Sequence, residues 1–409
     1  MLHLRARLMP ARSALLWLTL LLGVLIALTP LGTDSYVPAL PVIAQVFIVP
    51  VSAAQLTLTS FFAGLAIGQL AWGPLSDRYG RKPVLLAALA LACGAAVACA
   101  LSTSIDAIIG FRLLQGIGMS GGPVIARSVV RDLYSHEHAA QLLARMTVVF
   151  SVVPIAAPLV GAQVLAWWGW QAVLGLHSTV LVALIIAVAA GLTETVPAER
   201  ALVGARDIAR NFASILSEPR FVAPFVAMLC AQLGIFAFVS SSAFVLVQGA
   251  GVSPSVYSRL FALVMLGQIT GAWAGSRMVM RLGIGRMLRL GAVLACAAGL
   301  LAAALAWAGV VHWLAIVLPF MVYLAATALL IPSATAAALS PFPRAAGSAA
   351  SLMGATQFAL GAALSSLLGE LFDGTPRAMA SAVALAGVGT LAAEALLVRR
   401  PGLRVDRAL

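Results

Sequence analysis

Two ionisable side chains, Asp34 and Arg112, stand in stretches that are otherwise almost wholly apolar. A charge near the centre of a membrane helix costs about 2.5 to 3.5 kcal/mol. Arg112 must therefore face the protein interior, against an acid, a backbone carbonyl or water. Its place about seven residues into its apolar stretch leaves a second reading, a side chain that snorkels to the headgroups. Asp34 lies in Thr33-Asp34-Ser35-Tyr36-Val37-Pro38 and is the clearest candidate for a carboxylate that loads and releases a proton. Substrate or Arg112 would then compete with that proton. The alternative is a helix-end aspartate in contact with water.

A third group is the loop Gly73-Pro74-Leu75-Ser76-Asp77-Arg78-Tyr79-Gly80-Arg81-Lys82-Pro83, the densest charge cluster in a chain that is 9% charged. Gly73 and Gly80 permit a tight turn. Asp77 can accept hydrogen bonds at a helix end or pair with an arginine. Arg78, Arg81 and Lys82 anchor the loop on the cytoplasmic side. The plainer reading is a basic loop that only orients the chain. Side-chain amides and aromatics within apolar runs are candidates to line a substrate cavity: Tyr36, Gln115, Gln232, Phe236 and Gln357. Amides there also bridge helices, the structural reading for Gln69 and Gln268. The chain shows no nucleotide loop, no metal constellation and no nucleophile–base pair. No cofactor, metal or enzymatic activity is expected.

The elements that position these residues are membrane spans. The chain is 62% hydrophobic over 409 residues. Twelve apolar stretches approach or exceed the ~20 residues needed to cross a bilayer, near 14–38, 54–73, 84–102, 105–126, 143–166, 171–192, 221–247, 256–276, 288–308, 312–334, 345–369 and 378–398. The net charge of +12 is distributed as topology demands and does not point to nucleic acid. With the N-terminus inside, 22 of the 25 Lys and Arg fall on inner loops and ends, the exceptions being Arg112, Arg259 and Arg377. Both termini are then cytoplasmic, and the basic N-terminus leads into an uncleaved first span. Cys93, Cys99, Cys230 and Cys296 lie inside spans as small core residues.

An offset of 199 residues relates Phe62-Ala63 and Gly68-Gln69 to Phe261-Ala262 and Gly267-Gln268, and Arg145 to Arg344. This is the mark of two parallel six-helix repeats. The expected fold is an all-α membrane protein of twelve transmembrane helices. One half occupies 1–192, a cytoplasmic linker 193–220 and a second half 221–409. Small residues at Gly68, Gly161, Gly267, Gly271 and Gly354, with Pro154 and Pro158, are expected to serve helix packing.

The Gly73–Pro83 loop, of form G-x-x-x-D-R-x-G-R-K, resembles the loop between helices 2 and 3 of major facilitator transporters. Thr33–Pro41 resembles the end of helix 1 in drug:proton antiporters. Arg112-Leu113-Leu114-Gln115-Gly116-Ile117-Gly118 resembles the helix 4 motif R-x-x-Q-G-x-G, and Val124–Tyr134 the end of that helix in the Bcr/CflA group, which includes bicyclomycin and chloramphenicol exporters. Helix 5 departs from the antiporter pattern, since Ala157 stands before Pro158 and Gly161 where a glycine is usual.

The resemblance implies a monomer in the cell inner membrane that exports drugs or other small amphipathic molecules against proton influx by alternating access. It places a proton-coupling role on Arg112, and spans 2, 8 and 11 at the seam between halves. Protons, a small-molecule substrate and lipid are the implied partners. The alternatives are an uncoupled or proton-coupled metabolite transporter and, more remotely, a membrane enzyme or sensor. The absence of catalytic groups weighs against the last.

Overall fold

A backbone in hydrocarbon must satisfy its own hydrogen bonds, so apolar runs of this length become helices. The computed structural model describes residues 12–134, 136–196, 205–310, 312–342 and 346–399. The first half contains α1 (Arg12–Ile26), α2 (Leu28–Asp34), α3 (Leu40–Val46), α4 (Val51–Tyr79), α5 (Arg81–Ala100), α6 (Ile105–Leu133), α7 (His136–Trp168) and α8 (Trp170–Gly191). A linker helix, α9 (Ala205–Leu216), leads to α10 (Pro219–Ala243), α11 (Pro254–Leu282), α12 (Ile284–Trp307), α13 (Trp313–Leu339), α14 (Ala346–Glu370) and α15 (Arg377–Arg399). Both chain ends, with Arg5, Arg7, Arg404 and Arg407, and the linker residue Arg200 lie outside the described residues.

Ten of the described helices are each long and apolar enough to cross a membrane. An eleventh crossing is bent by 44° between Leu15–Ile26 and Leu28–Val46. Helix α11 has the length, 29 residues, but is less apolar, carrying Arg259, Gln268 and Thr270, and falls short of a crossing by composition. The first span thus runs on to Val46, well past the expected 38, because it is interrupted. Pro38 and Pro41 have no N–H to give a preceding turn, and a short 3₁₀ turn, Val37–Ala39, joins α2 to α3.

The two halves repeat the same packing device. In the first, a side chain on Gly64 would strike the Leu113 carbonyl of α6, and one on Gly116 would strike the Phe61 carbonyl of α4. In the second, Gly267 and Gly271 of α11 approach the Met321 and Ala325 carbonyls of α13 in the same way. These glycines therefore seat helices within a half. Across the seam, the α14 glycines Gly354 and Gly347 face the Gln69 side chain of α4 and the Arg131 side chain of α6.

The seam itself is carried by α4 against α14 and by α7 against α11, and side chains join the first of these pairs. At one end Gln55 Nε2 donates to the Ser365 carbonyl (2.9 Å) and Thr59 Oγ1 to Ser365 Oγ (3.0 Å). At the other, Ser351 Oγ donates to the Gln69 carbonyl (2.6 Å). Between them Phe62, Phe236 and Phe358 form an aromatic cluster, with Phe62 and Phe236 centroids 4.8 Å apart.

Helix α9 packs on α10 and α14, with Ile215 buried beside Phe221 and Phe225. Trp167 and Trp168 are exposed, as an interfacial belt requires. Trp170 differs: it is buried and packs edge-on against Phe47. Glu394 is buried on α15 and accepts from Arg289 Nε of α12 (3.2 Å).

Candidate functional site

The interruption of the first span creates the site. Tyr36 N–H turns back to the Thr33 carbonyl (3.0 Å) and leaves the Gly32 carbonyl without its usual helical partner. Arg112 of α6 uses that oxygen, donating to it from Nη2 at 3.0 Å. Its Nη1 donates to Gln115 Oε1 (2.7 Å), and Nε lies 3.4 Å from the Thr57 carbonyl of α4. The close glycine contacts between α4 and α6 hold Thr57 and Phe61 against this guanidinium. Its plane is completed by two aromatic faces, Phe61 at 4.0 Å and Tyr36 at 4.2 Å from the ring centroids. Arg112 is 0% exposed. A cation here is held by oxygens and ring faces rather than by an acid, so the snorkelling alternative is set aside.

Asp34 ends α2 and is buried. It accepts a hydrogen bond from Thr33 Oγ1 (2.8 Å) and makes no ion pair with Arg112. The turn that follows it, Val37–Ala39, packs on α10 and α11 of the second half, where the Tyr257 hydroxyl is bonded to Ser242 (2.9 Å). The helix-end reading of an aspartate open to water is thereby corrected. So is the direct pairing of Asp34 with Arg112: the two flank the same interruption, the arginine bonded to the carbonyl of Gly32 and the carboxylate two residues later, without touching.

Of the cavity candidates, Tyr36 and Gln115 belong to the arginine cage. Tyr36 also donates from its hydroxyl to Thr57 Oγ1 (2.9 Å). Phe236 belongs to the aromatic cluster at the seam. Gln232 and Gln357 are half-buried on α10 and α14. Gly161 of α7 abuts Ser35 at the same interruption, leaving no room for a side chain. Pro154 and Pro158 lie inside α7, which continues through them.

His177 has no role in the sequence analysis. His177 of α8 is fully buried, with Nε2 2.7 Å from Ser35 Oγ and Nδ1 3.1 Å from Gln115 Nε2. The available signal was a lone histidine in an uncharged apolar span.

The charged loop forms a second assembly at the end of the first half where α4 turns into α5. Gly80 takes φ +98° there, as Gly283 takes φ +78° at the corresponding turn from α11 to α12. Both conformations favour glycine. Arg81, 1% exposed, is the hub. It donates from Nε to Asp132 of α6 (2.9 Å) and from Nη1 to Ser76 Oγ (2.6 Å), and pairs with Asp77 at 2.6 Å. Glu194, just beyond α8, accepts from the Arg81 and Lys82 backbone N–H groups at the start of α5 (2.9 and 3.2 Å), and Lys82 Nζ reaches the Ala189 carbonyl (2.8 Å). Partial burial opposes ionisation of Glu194. The N–H groups of Val196, Arg81, Thr195 and Lys82 outweigh it and hold the carboxyl below the usual range. This anchor is therefore complete at neutral pH and is lost only as acid passes below that depressed value.

The expected partner of Asp77 was an arginine or a helix end, and it is Arg81. The stronger partner of Arg81 is Asp132, which the sequence reading left without a role. The Asp132 side chain is 3% exposed against 52% for Asp77. Breaking a buried pair costs about 3–5 kcal/mol, whereas an exposed one contributes about 0–1 kcal/mol. Asp132→Asn should therefore lower the thermal stability of purified protein clearly, and Asp77→Asn by little. Equal melting shifts in the two variants would contradict the hub.

Residues 22–366 match the sequence profile of the Major Facilitator Superfamily. The chain is 30% identical to the bicyclomycin resistance protein homolog of Haemophilus influenzae over 361 residues, covering 86% of this chain and 88% of that one. It is 27% identical to multidrug resistance protein D of Escherichia coli, over 83% and 85% of the two chains. It is 32% identical to a chloramphenicol resistance protein of Pseudomonas aeruginosa, over 69% and 68%. Among solved structures, a D-xylose-proton symporter shares the fold with a TM-score of 0.74 at 16% identity, over 94% and 97% of the chains.

Proposed function

Because the chain belongs to the Major Facilitator Superfamily, we propose that it exports drugs or other small amphipathic molecules across the inner membrane, coupled to proton entry. The observation that carries this reading is the interrupted first span. It holds a caged cation, Arg112, and a buried carboxylate without a cationic partner, Asp34, two residues past the carbonyl that anchors the arginine. Asp34 lies where the two halves meet, so its charge bears on the contact between them. Proton entry gains about 2.3 kcal/mol per charge for each 100 mV of membrane potential. Names borne by the relatives, bicyclomycin, chloramphenicol and multidrug resistance, support an amphipathic substrate. The half-buried Gln232 and Gln357 beside the aromatic cluster would supply its polar and apolar contacts.

The protein works as a monomer with residues 1–192 and 221–409 as its two moving halves and 193–220 between them, without a cofactor and without catalysing a covalent reaction. The test is inverted vesicles carrying an imposed pH gradient. Addition of substrate such as chloramphenicol should release protons from the energised lumen, and uptake should collapse with the gradient. Substrate movement that ignores the gradient would leave an uncoupled transporter.

We place the charged loop and both termini on the cytoplasmic side, on the strength of the basic inner loops. A cysteine at Thr103, between α5 and α6, should react with an impermeant maleimide from outside intact cells. One at Ser217, after α9, should react only after permeabilisation. The opposite pattern inverts the topology.

A further inference from the structure

Hydrogen-bond accounting around His177 leaves a single arrangement. The Ser35 hydroxyl has one hydrogen, and it goes to the Leu31 carbonyl (2.5 Å). Ser35 Oγ can then only accept from His177, so Nε2 carries the ring proton. Nδ1 of the neutral ring is consequently an acceptor, and the group facing it at 3.1 Å is the Gln115 amide nitrogen. That orientation of the amide leaves Oε1 toward Arg112 Nη1, at 2.7 Å. Every bond donates in one direction: Arg112 to Gln115, Gln115 to His177, His177 to Ser35, Ser35 to Leu31. The path leaves the cage at Arg112 and returns to the interrupted first span, next to the Gly32 carbonyl that Arg112 also uses.

We propose that His177 is a positioning residue for Arg112, acting through the Gln115 amide and tying α8 and α6 to the interruption of the first span. Turned the other way, the amide would set its nitrogen against the guanidinium, donor against donor. Without an acceptor at the Nδ1 position the amide N–H is left unpaired, only Arg112 itself opposes that turn, and its shortest hydrogen bond is weakened. A movement of α8 relative to α2 would reach the arginine by the same route.

The inference rests on the export reading of Arg112, and one set of vesicles tests both. His177→Leu keeps an apolar volume but offers no acceptor. His177→Asn keeps an oxygen near the Nδ1 position. Drug-triggered proton release should fall about tenfold in His177→Leu, the scale of one lost bond to a buried charge, and recover largely in His177→Asn. Placed in an Arg112→Lys background, His177→Leu should add less than about twofold, because both changes act on one bond path. Binding of radiolabelled drug to each purified variant monitors folding. Multiplicative losses in the double variant would overturn the positioning role. So would wild-type coupling in His177→Leu, or equal loss of binding and coupling in the Leu and Asn variants. Absence of proton release from the wild-type protein would remove the export reading, and the role of His177 with it.

Discussion

Arg112→Lys lowers drug-driven proton exchange by about tenfold or more while the protein still reaches the membrane. A lysine keeps the charge, so insertion is not made harder. It cannot keep the geometry. The guanidinium presents donors in one plane to Gly32, Gln115 and Thr57 while its two faces lie on Tyr36 and Phe61. An ammonium is a compact point charge with tetrahedral donors and no flat face to stack. It cannot serve the first-span carbonyl and the α6 amide together. Hydrogen bonds to a charged group contribute about 1.5–3 kcal/mol each, enough for the tenfold figure from one alone. Exchange is measured in inverted vesicles with a pH-sensitive dye, normalised to protein by immunoblot. A rate within about twofold of wild type would mean that the charge alone suffices.

Asp34→Asn abolishes gradient-driven export and leaves drug binding nearly intact. The amide has the same size, and its oxygen still accepts from the Thr33 hydroxyl. Affinity should therefore move by no more than about threefold. What disappears is the exchangeable proton. Drug-triggered proton release should fall to the level of empty vesicles, while exchange of drug down its own gradient continues. Normal proton release in the asparagine variant would take Asp34 out of the mechanism. Glu394 would not inherit its place, since it is already paired with Arg289 of α12.

The helices were legible because the constraint that makes them is severe: a twenty-residue apolar run has no other way to satisfy its backbone in lipid. The first span is an instructive exception. Pro38 and Pro41 are in plain view, yet they say where hydrogen bonds are lost and not how the chain resumes as α3. Arg112 was legible through its insertion cost, but its partners were not. Two of them are backbone oxygens, which every residue possesses. Asp34 and Arg112 looked like a pair because opposite charges are the obvious solution to burial. The chain instead solves the arginine with one carbonyl freed by the interrupted helix, Gly32, the Thr57 carbonyl of α4 and the Gln115 amide. Tyr36 and Gln115 were read as cavity residues for a similar reason: a polar side chain that holds another cannot be told by type from one facing open space. Asp132 and His177 went unread because each is a single residue whose significance lies wholly in what another helix brings to it. The glycines were assigned to packing by their spacing. Which surface they pack, within a half or across the seam, depends on the rotation of each helix about its axis.

The seam described above behaves as a lever. Its pivot is the Phe62–Phe236–Phe358 cluster, and its arms are α4 and α14 on either side of it. The arm at the Gln55 end is latched by two hydrogen bonds and the arm at the Ser351 end by one. Hydrogen bonds between membrane helices average about 0.6 kcal/mol, so the latches differ by only about that amount. One charge falling through 100 mV gains about 2.3 kcal/mol. On the export reading proposed above, one proton crossing supplies more work than either latch resists.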